Sequence, residues 1–131
     1  MQTETDSRAP VVLIVDDEVG ILSAMRRTLR REGYEILTVE GPFEALAMID
    51  EHKVDLVLSD QKMPGMSGVE LLEEIGRRQP GIARLLITGW IGETGASELA
   101  ELGIQGPIAK PWDDAELKEM LRKALAPVSR D

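Results

Sequence analysis

The sequence predicts one doubly wound α/β domain of five parallel strands alternating with five helices, and three observations predict it. Its 131 residues are enough to bury roughly two-thirds of the unfolded surface in a single core. Short apolar runs rich in β-branched residues alternate along the chain with segments of helical periodicity. The runs are continuous rather than alternating in polarity, as strands covered on both faces of a parallel sheet require.

The elements follow in order. Val11-Val12-Leu13-Ile14-Val15 is the first strand, stopped by Asp16-Asp17. A helix then carries Ile21, Met25, Thr28 and Leu29 on one face and ends near Gly33. Residues 34–39 form a second strand, less uniformly apolar and so suited to an edge. Gly41-Pro42 opens a helix with Ala45, Leu46 and Ile49 inward, proline being tolerated in a first turn. Residues 54–59 are a third strand, closed by Asp60. Ser67-Gly68-Val69-Glu70 has the spacing of a capping box. The helix it starts buries Leu71, Leu72 and Ile75 and stops at Gln79-Pro80-Gly81. Residues 84–88 are the fourth strand, and a helix from Glu93 to Leu102 follows, weakened at its start by Gly92 and Gly95. A short fifth strand spans 107–110. Asp113-Asp114-Ala115-Glu116 caps a last helix with Leu117, Leu121 and Leu125 on one side. Residues 1–9 read as a disordered lead-in, 10–126 as the domain, and 127–131 as a tail or the start of a linker. There is no internal repeat.

Composition narrows the function. The absence of Cys excludes thiol nucleophiles and Cys-ligated metals, and a single His excludes a His-rich zinc site. With 24 Asp+Glu against 15 Lys+Arg the net charge is −9, and aromatics are 3%. Neither suits binding of nucleic-acid phosphates or stacking on bases. No run is long enough for a membrane span, and the N-terminus lacks the pattern of a signal peptide, so a cytoplasmic location is expected.

In an open α/β sheet, ligands bind beyond the carboxyl ends of the strands at a topological switch point. The residues there are Asp16 and Asp17, Asp60, Thr88 and Lys110. The strand order 2-1-3-4-5 makes the first and third strands neighbours at that point, which gathers three carboxylates on one edge. Each pair repels by about 1 kcal/mol in water and several-fold more near protein. An all-oxygen donor set calls for a hard cation, Mg²⁺ first, with Mn²⁺ or Ca²⁺ able to substitute. Thr88 offers a donor to a phosphoryl oxygen and Lys110 a point charge to another. No nucleotide-cradling glycine loop is present. A protein carboxylate that itself receives a phosphoryl group fits best, and Asp60, alone on its strand, is the candidate acceptor.

Four separated motifs carry a resemblance: V-L-I-V-D-D-E at 12–18, L-V-L-S-D-Q-K-M-P-G-M-S-G at 56–68, L-L-I-T-G at 85–89 and K-P-W at 110–112. The sequence resembles the receiver domains of bacterial two-component response regulators over residues 11–125, which implies a flavodoxin-like fold. The resemblance implies Asp60 as the phosphoacceptor, fed by a sensor histidine kinase or a histidine phosphotransfer protein. It implies Asp16 and Asp17 as the acidic pair holding Mg²⁺, with the backbone carbonyl of Lys62 as a further ligand. Thr88 would be the switch hydroxyl, Lys110 the phosphate-contacting lysine, and Lys110–Pro111 a cis peptide. A signalling phosphoacceptor is expected rather than an enzyme. A homodimer through the fourth and fifth strand–helix face is compatible, and the output domain or partner is not specified. The T-G-aromatic and K-P-W pattern is similar to receivers fused to HD-GYP phosphodiesterases or AAA+ activators. The family places an aromatic three residues before the lysine, where this chain has Pro107. Trp90 is an alternative mobile aromatic.

Other readings stand beside these. Asp17 alone would be an ordinary helix N-cap, and His52 a solvated surface histidine. Arg26, Arg27, Arg30 and Arg31 read as a solvated helix face, with kinase docking as the lesser reading. Glu70, Glu73 and Glu74 read as solubility, and Trp112 as packing at the sheet edge. Two further function classes are a phosphorylation-independent docking module, prompted by Pro107, and a Mg²⁺-dependent aspartyl-phosphate hydrolase. The second normally shows D-x-D after its first strand, where this chain has adjacent acids.

Overall fold

The computed structural model describes residues 8–89 and 95–126. The lead-in as far as residue 7, the tail from 127, Trp90 and the expected start of the fourth helix at Glu93 lie outside these. The order is β1 (Val11–Val15), α1 (Val19–Leu29), β2 (Glu35–Val39), α2 (Pro42–Glu51), β3 (Leu56–Asp60), α3 (Gly68–Arg78), β4 (Ala83–Thr88), α4 (Ala96–Glu101), β5 (Gln105–Ala109) and α5 (Asp114–Leu125). The strands form one sheet in the order β2-β1-β3-β4-β5, and every pairing is parallel. This is the expected flavodoxin-like (βα)5 arrangement.

Period-2 alternation along each strand divides the core into two layers. Val11, Leu13 and Val15 point with Val57 and Leu86 toward α2, α3 and α4, where Leu46, Leu72 and Leu99 meet them. Val12, Ile14, Leu58 and Ile87 point the other way, onto Leu22, Met25 and Leu29 of α1 and Leu117 and Leu121 of α5. β1 and β3 are buried throughout, which explains their unbroken apolar sequences, whereas β2 at the edge is half-buried or exposed. The inner face of α1 is turned toward Leu22, leaving Ile21 and Thr28 half-buried.

Three local signals behave as their chemistry requires. Ser67 and Glu70 form the reciprocal capping box of α3. The Asp113 carboxylate accepts from the N–H groups of Ala115 (2.8 Å) and Glu116 (3.4 Å) at the start of α5. Pro42 stands in the first turn of α2. The fifth strand departs from expectation, beginning at Gln105 and ending one residue before Lys110. Its register against β4 shifts between Leu85 and Ile87. Gly106 sits there with φ +118°, and a Cβ on it would lie 2.7 Å from the Leu86 carbonyl oxygen. Only glycine fits at that bulge. Both Gly106–Pro107 and Lys110–Pro111 are cis.

Trp112 packs against the layer that holds Ile108 of the edge strand β5 and the inner faces of α1 and α5, with its indole N–H shared between Asp114 (3.0 Å) and Thr28 (3.3 Å). An indole must pair its N–H when it is partly buried, and the two helices supply the acceptors. His52 is exposed at the C-terminus of α2, and all four arginines of the α1 cluster are exposed. No described helix is long and apolar enough to cross a membrane.

Candidate functional site

β1 and β3 are neighbours, and their carboxyl ends deliver Asp16 and Asp60 side by side, both buried. Asp17 follows Asp16 and is exposed. Carboxylate oxygens of Asp16, Asp17 and Asp60 all lie within 4.8 Å of one another. Lys110 reaches in from the end of β5. Its Nζ is 2.9 Å from Asp16 Oδ2 and 3.2 Å from Asp60 Oδ1. The Lys110 backbone N–H donates to the Thr88 carbonyl (3.0 Å), which holds the β5 end against β4. Thr88 is 2% exposed and closes one wall of a cleft of about 250 Å³. Asp17, Glu18, Asp60, Lys62 and Lys110 line the rest. All six residues named from the sequence therefore converge, with Lys62 exposed at the rim.

The electrostatics follow from burial. Desolvation pushes the Asp60 carboxyl above its ordinary value, and the neighbouring Asp16 charge pushes it further. The nearby Lys110 ammonium and, less, the Gln61 backbone N–H offset only part of this. Burial alone would lower the Lys110 ammonium. The hydrogen bond and charge of Asp16, followed by those of Asp60, outweigh it and hold the group above the usual lysine value. The Lys110 ammonium is thus shared between two carboxylates.

Three carboxylates with overlapping reach and no nitrogen or sulfur donor among them form a donor set that fits a hard divalent cation. The Asp17 N-cap reading is not what the structure holds. Glu18 occupies the cap position without a side-chain bond. It is the buried Asp16 whose Oδ1 accepts from the Glu18 N–H (2.9 Å) and fixes the turn into α1. Asp17 is thus left pointing its carboxylate at the cleft rim without a capping duty. Two of the three glutamates read as solubility, Glu70 and Glu74, also do more than add charge. Glu70 closes the capping box, and Glu74 bonds Arg77 and Arg78, which holds its carboxyl below the usual range.

Gln61 escaped the sequence reading. Its adjacency to Asp60 was the only signal, and its partners are seven and eight residues away.

Fold and site together place the protein among doubly wound α/β domains with an acidic, lysine-bridged cleft at the switch point. A family model described as the response regulator receiver domain matches residues 12–122. The hydrogenase transcriptional regulatory protein HoxA of Cupriavidus necator is 41% identical over 115 residues, covering 87% of this chain and 24% of that protein. Sporulation initiation phosphotransferase F of Bacillus subtilis is 32% identical over 114 residues, covering 87% and 92% of the two chains. The signal receiver domain of an HD domain-containing protein from Pseudomonas fluorescens Pf-5 superposes with a TM-score of 0.83 at 34% identity, covering 90% and 88%. The chain belongs to the response regulator receiver domain family. It spans about a quarter of the length of the transcriptional regulators it matches.

Proposed function

We propose that this receiver domain takes a phosphoryl group onto Asp60 from a phosphohistidine of a sensor kinase or phosphotransfer protein, in a Mg²⁺-dependent step. The observation that carries the reading is the Lys110 ammonium bridging Asp16 and Asp60 beside the buried Thr88. An Asp60 oxygen attacks phosphorus, the donor's P–N bond breaks, and the imidazole nitrogen leaves with the bonding pair. Asp16, Asp17, Asp60 and the Lys62 carbonyl would hold the divalent ion, which supplies charge neutralisation between acceptor and phosphate. Once the Asp60 carboxylate is an acyl phosphate, it no longer carries the carboxylate charge that helped hold Lys110, and the ammonium turns to a phosphoryl oxygen. The Thr88 hydroxyl donates to another. These new bonds pull the ends of β4 and β5 toward the site and bias a two-state equilibrium on the α4–β5–α5 face. That face is the expected contact for a homodimer or an output module.

Acetyl phosphate with Mg²⁺ is the direct test. Intact mass is expected to rise by one phosphoryl group in the wild type and not in Asp60→Asn. Absence of the adduct with every donor tried overturns the reading.

Pro107 favours a second reading, a docking module that works without phosphorylation. Proline has no side-chain rotor to swing with Thr88, and it lies on β5 beside the bulge at Gly106. Partner affinity unchanged by beryllofluoride with Mg²⁺ would support this reading over the first.

A further inference from the structure

The first N–H groups of a helix have no partner within the helix and must find one elsewhere. In α3 the third is met conventionally, since Glu70 N–H donates to Ser67 Oγ (3.1 Å). The first two are both met by Gln61. Gly68 N–H donates to the Gln61 carbonyl oxygen (2.9 Å), and Val69 N–H donates to Gln61 Oε1 (2.9 Å). Gln61 is the residue that follows the acceptor. Its own backbone N–H, at the other end of that linkage, favours the ionised form of the Asp60 carboxyl.

The contact is tight enough to transmit force. A Cβ on Gly68 would lie 2.2 Å from the Asp60 carbonyl oxygen and 2.8 Å from Leu86 Cδ1. The first turn of α3 therefore rests directly on the Asp60–Gln61 peptide. The carbonyl of that peptide is pressed by α3. The plane that aims the carboxylate is thus held on that side.

We infer that Gln61 is a positioning residue for the acceptor, its side-chain oxygen locking the first turn of α3 to the Asp60–Gln61 peptide and so fixing the orientation of the Asp60 carboxylate. The inference rests on the reading of Asp60 as phosphoacceptor. In-line attack depends on aligned geometry, and small displacements of a reacting oxygen cost rate steeply. The glutamine is needed as a hydrogen-bond acceptor at that reach. Gln61→Met keeps the length and loses the oxygen, and Gln61→Ala removes the side chain. Gln61→Glu keeps an oxygen there, and a carboxylate is favourable at a helix N-terminus. Ser67→Ala is the control, because Ser67 caps the same helix without touching the acceptor's peptide.

The experiment measures three things in each variant: the rate of labelling by acetyl phosphate with Mg²⁺, amide hydrogen exchange at the Val69 N–H that Gln61 Oε1 accepts from, and Tm. Gln61→Met and Gln61→Ala are expected to label roughly tenfold more slowly and to exchange faster at position 69. Gln61→Glu should restore both. Ser67→Ala should lower Tm comparably while keeping the wild-type labelling rate. Wild-type labelling in both Gln61 variants, or a slowing no greater than that of Ser67→Ala at equal loss of Tm, overturns the inference. If the wild type takes no label, the reading of Asp60 fails on its own account. Exchange then decides the tether, with unchanged protection at position 69 overturning it and lost protection supporting it.

Discussion

Lys110 is the residue on which the site balances. Its ammonium serves two carboxylates, and the Asp16 side chain, 1% exposed, depends on it more closely than Asp60 does. Replacing it with methionine leaves two buried like charges facing each other without a cation. Lys110→Met is expected to lose about 2 kcal/mol of stability in metal-free buffer, read by urea denaturation, with part of the loss recovered in Mg²⁺. An unchanged midpoint would contradict the electrostatics described here. Asp60→Asn should act in the opposite direction. The folded-state Asp60 carboxyl lies above its ordinary 3.8, so between those two values the native protein holds a proton that the unfolded chain has released. Stability contributed by this group therefore falls as pH rises through that window and stays lower above it. Removing the charge is expected to raise stability at neutral pH in metal-free buffer. The gain should vanish below the ordinary carboxylate range, where wild type and variant are both neutral. A variant less stable than wild type at neutral pH would contradict the sign. Added Mg²⁺ should stabilise the wild type by about 2.7 kcal/mol at a hundred times its Kd, and Asp17→Asn should need more Mg²⁺ for the same rise in Tm.

At the scale of elements, sequence and structure agree where a single local rule decides the outcome. The capping box of α3, the Asp113 cap of α5 and the buried runs of β1 and β3 each follow from spacing alone. They part where a distant segment decides. Glu18 rather than Asp17 caps α1, because Asp16 is committed to the turn and to Lys110, 94 residues away. β5 starts at Gln105 because Gly106 bulges against the Leu86 carbonyl, which no pattern within β5 announces. Arg84, read simply as the start of β4, lays its guanidinium between the glycines at 76 and 103. There Nη1 donates to the carbonyls of Leu72 (3.0 Å) and Leu102 (3.3 Å), and burial pushes its pKa down. That brace joins α3 to the end of α4 and occupies the space beside both glycines. The bulge makes the sharpest element-scale prediction. Gly106→Ala faces both a positive φ and a carbonyl at 2.7 Å, and is expected to cost about 2 kcal/mol or more, measured as a lower urea midpoint. A midpoint within error of wild type would mean that β5 can be rebuilt without the bulge.

Across the whole molecule, five strands, their order and the convergence of six site residues were legible from a 131-residue chain. Parallel α/β topology sends every strand's carboxyl end to one edge, so residues that follow strands in sequence become neighbours in space. The side-chain directions within that edge were not legible, because they depend on which carboxylate each turn commits. The acidic excess of the chain, −9 overall, thereby separates into a solvated surface and three carboxylates held within 4.8 Å of one another. The central claim is that one of those three, Asp60, receives the phosphoryl group. Borohydride reduction converts an aspartyl phosphate to homoserine, and peptide mass spectrometry then locates it in the chain. After acetyl phosphate and Mg²⁺, the account predicts homoserine at position 60 and at no other acid, with none formed when Mg²⁺ is chelated. Homoserine at Asp16, Asp17 or elsewhere, or none in the presence of donor and Mg²⁺, would contradict it.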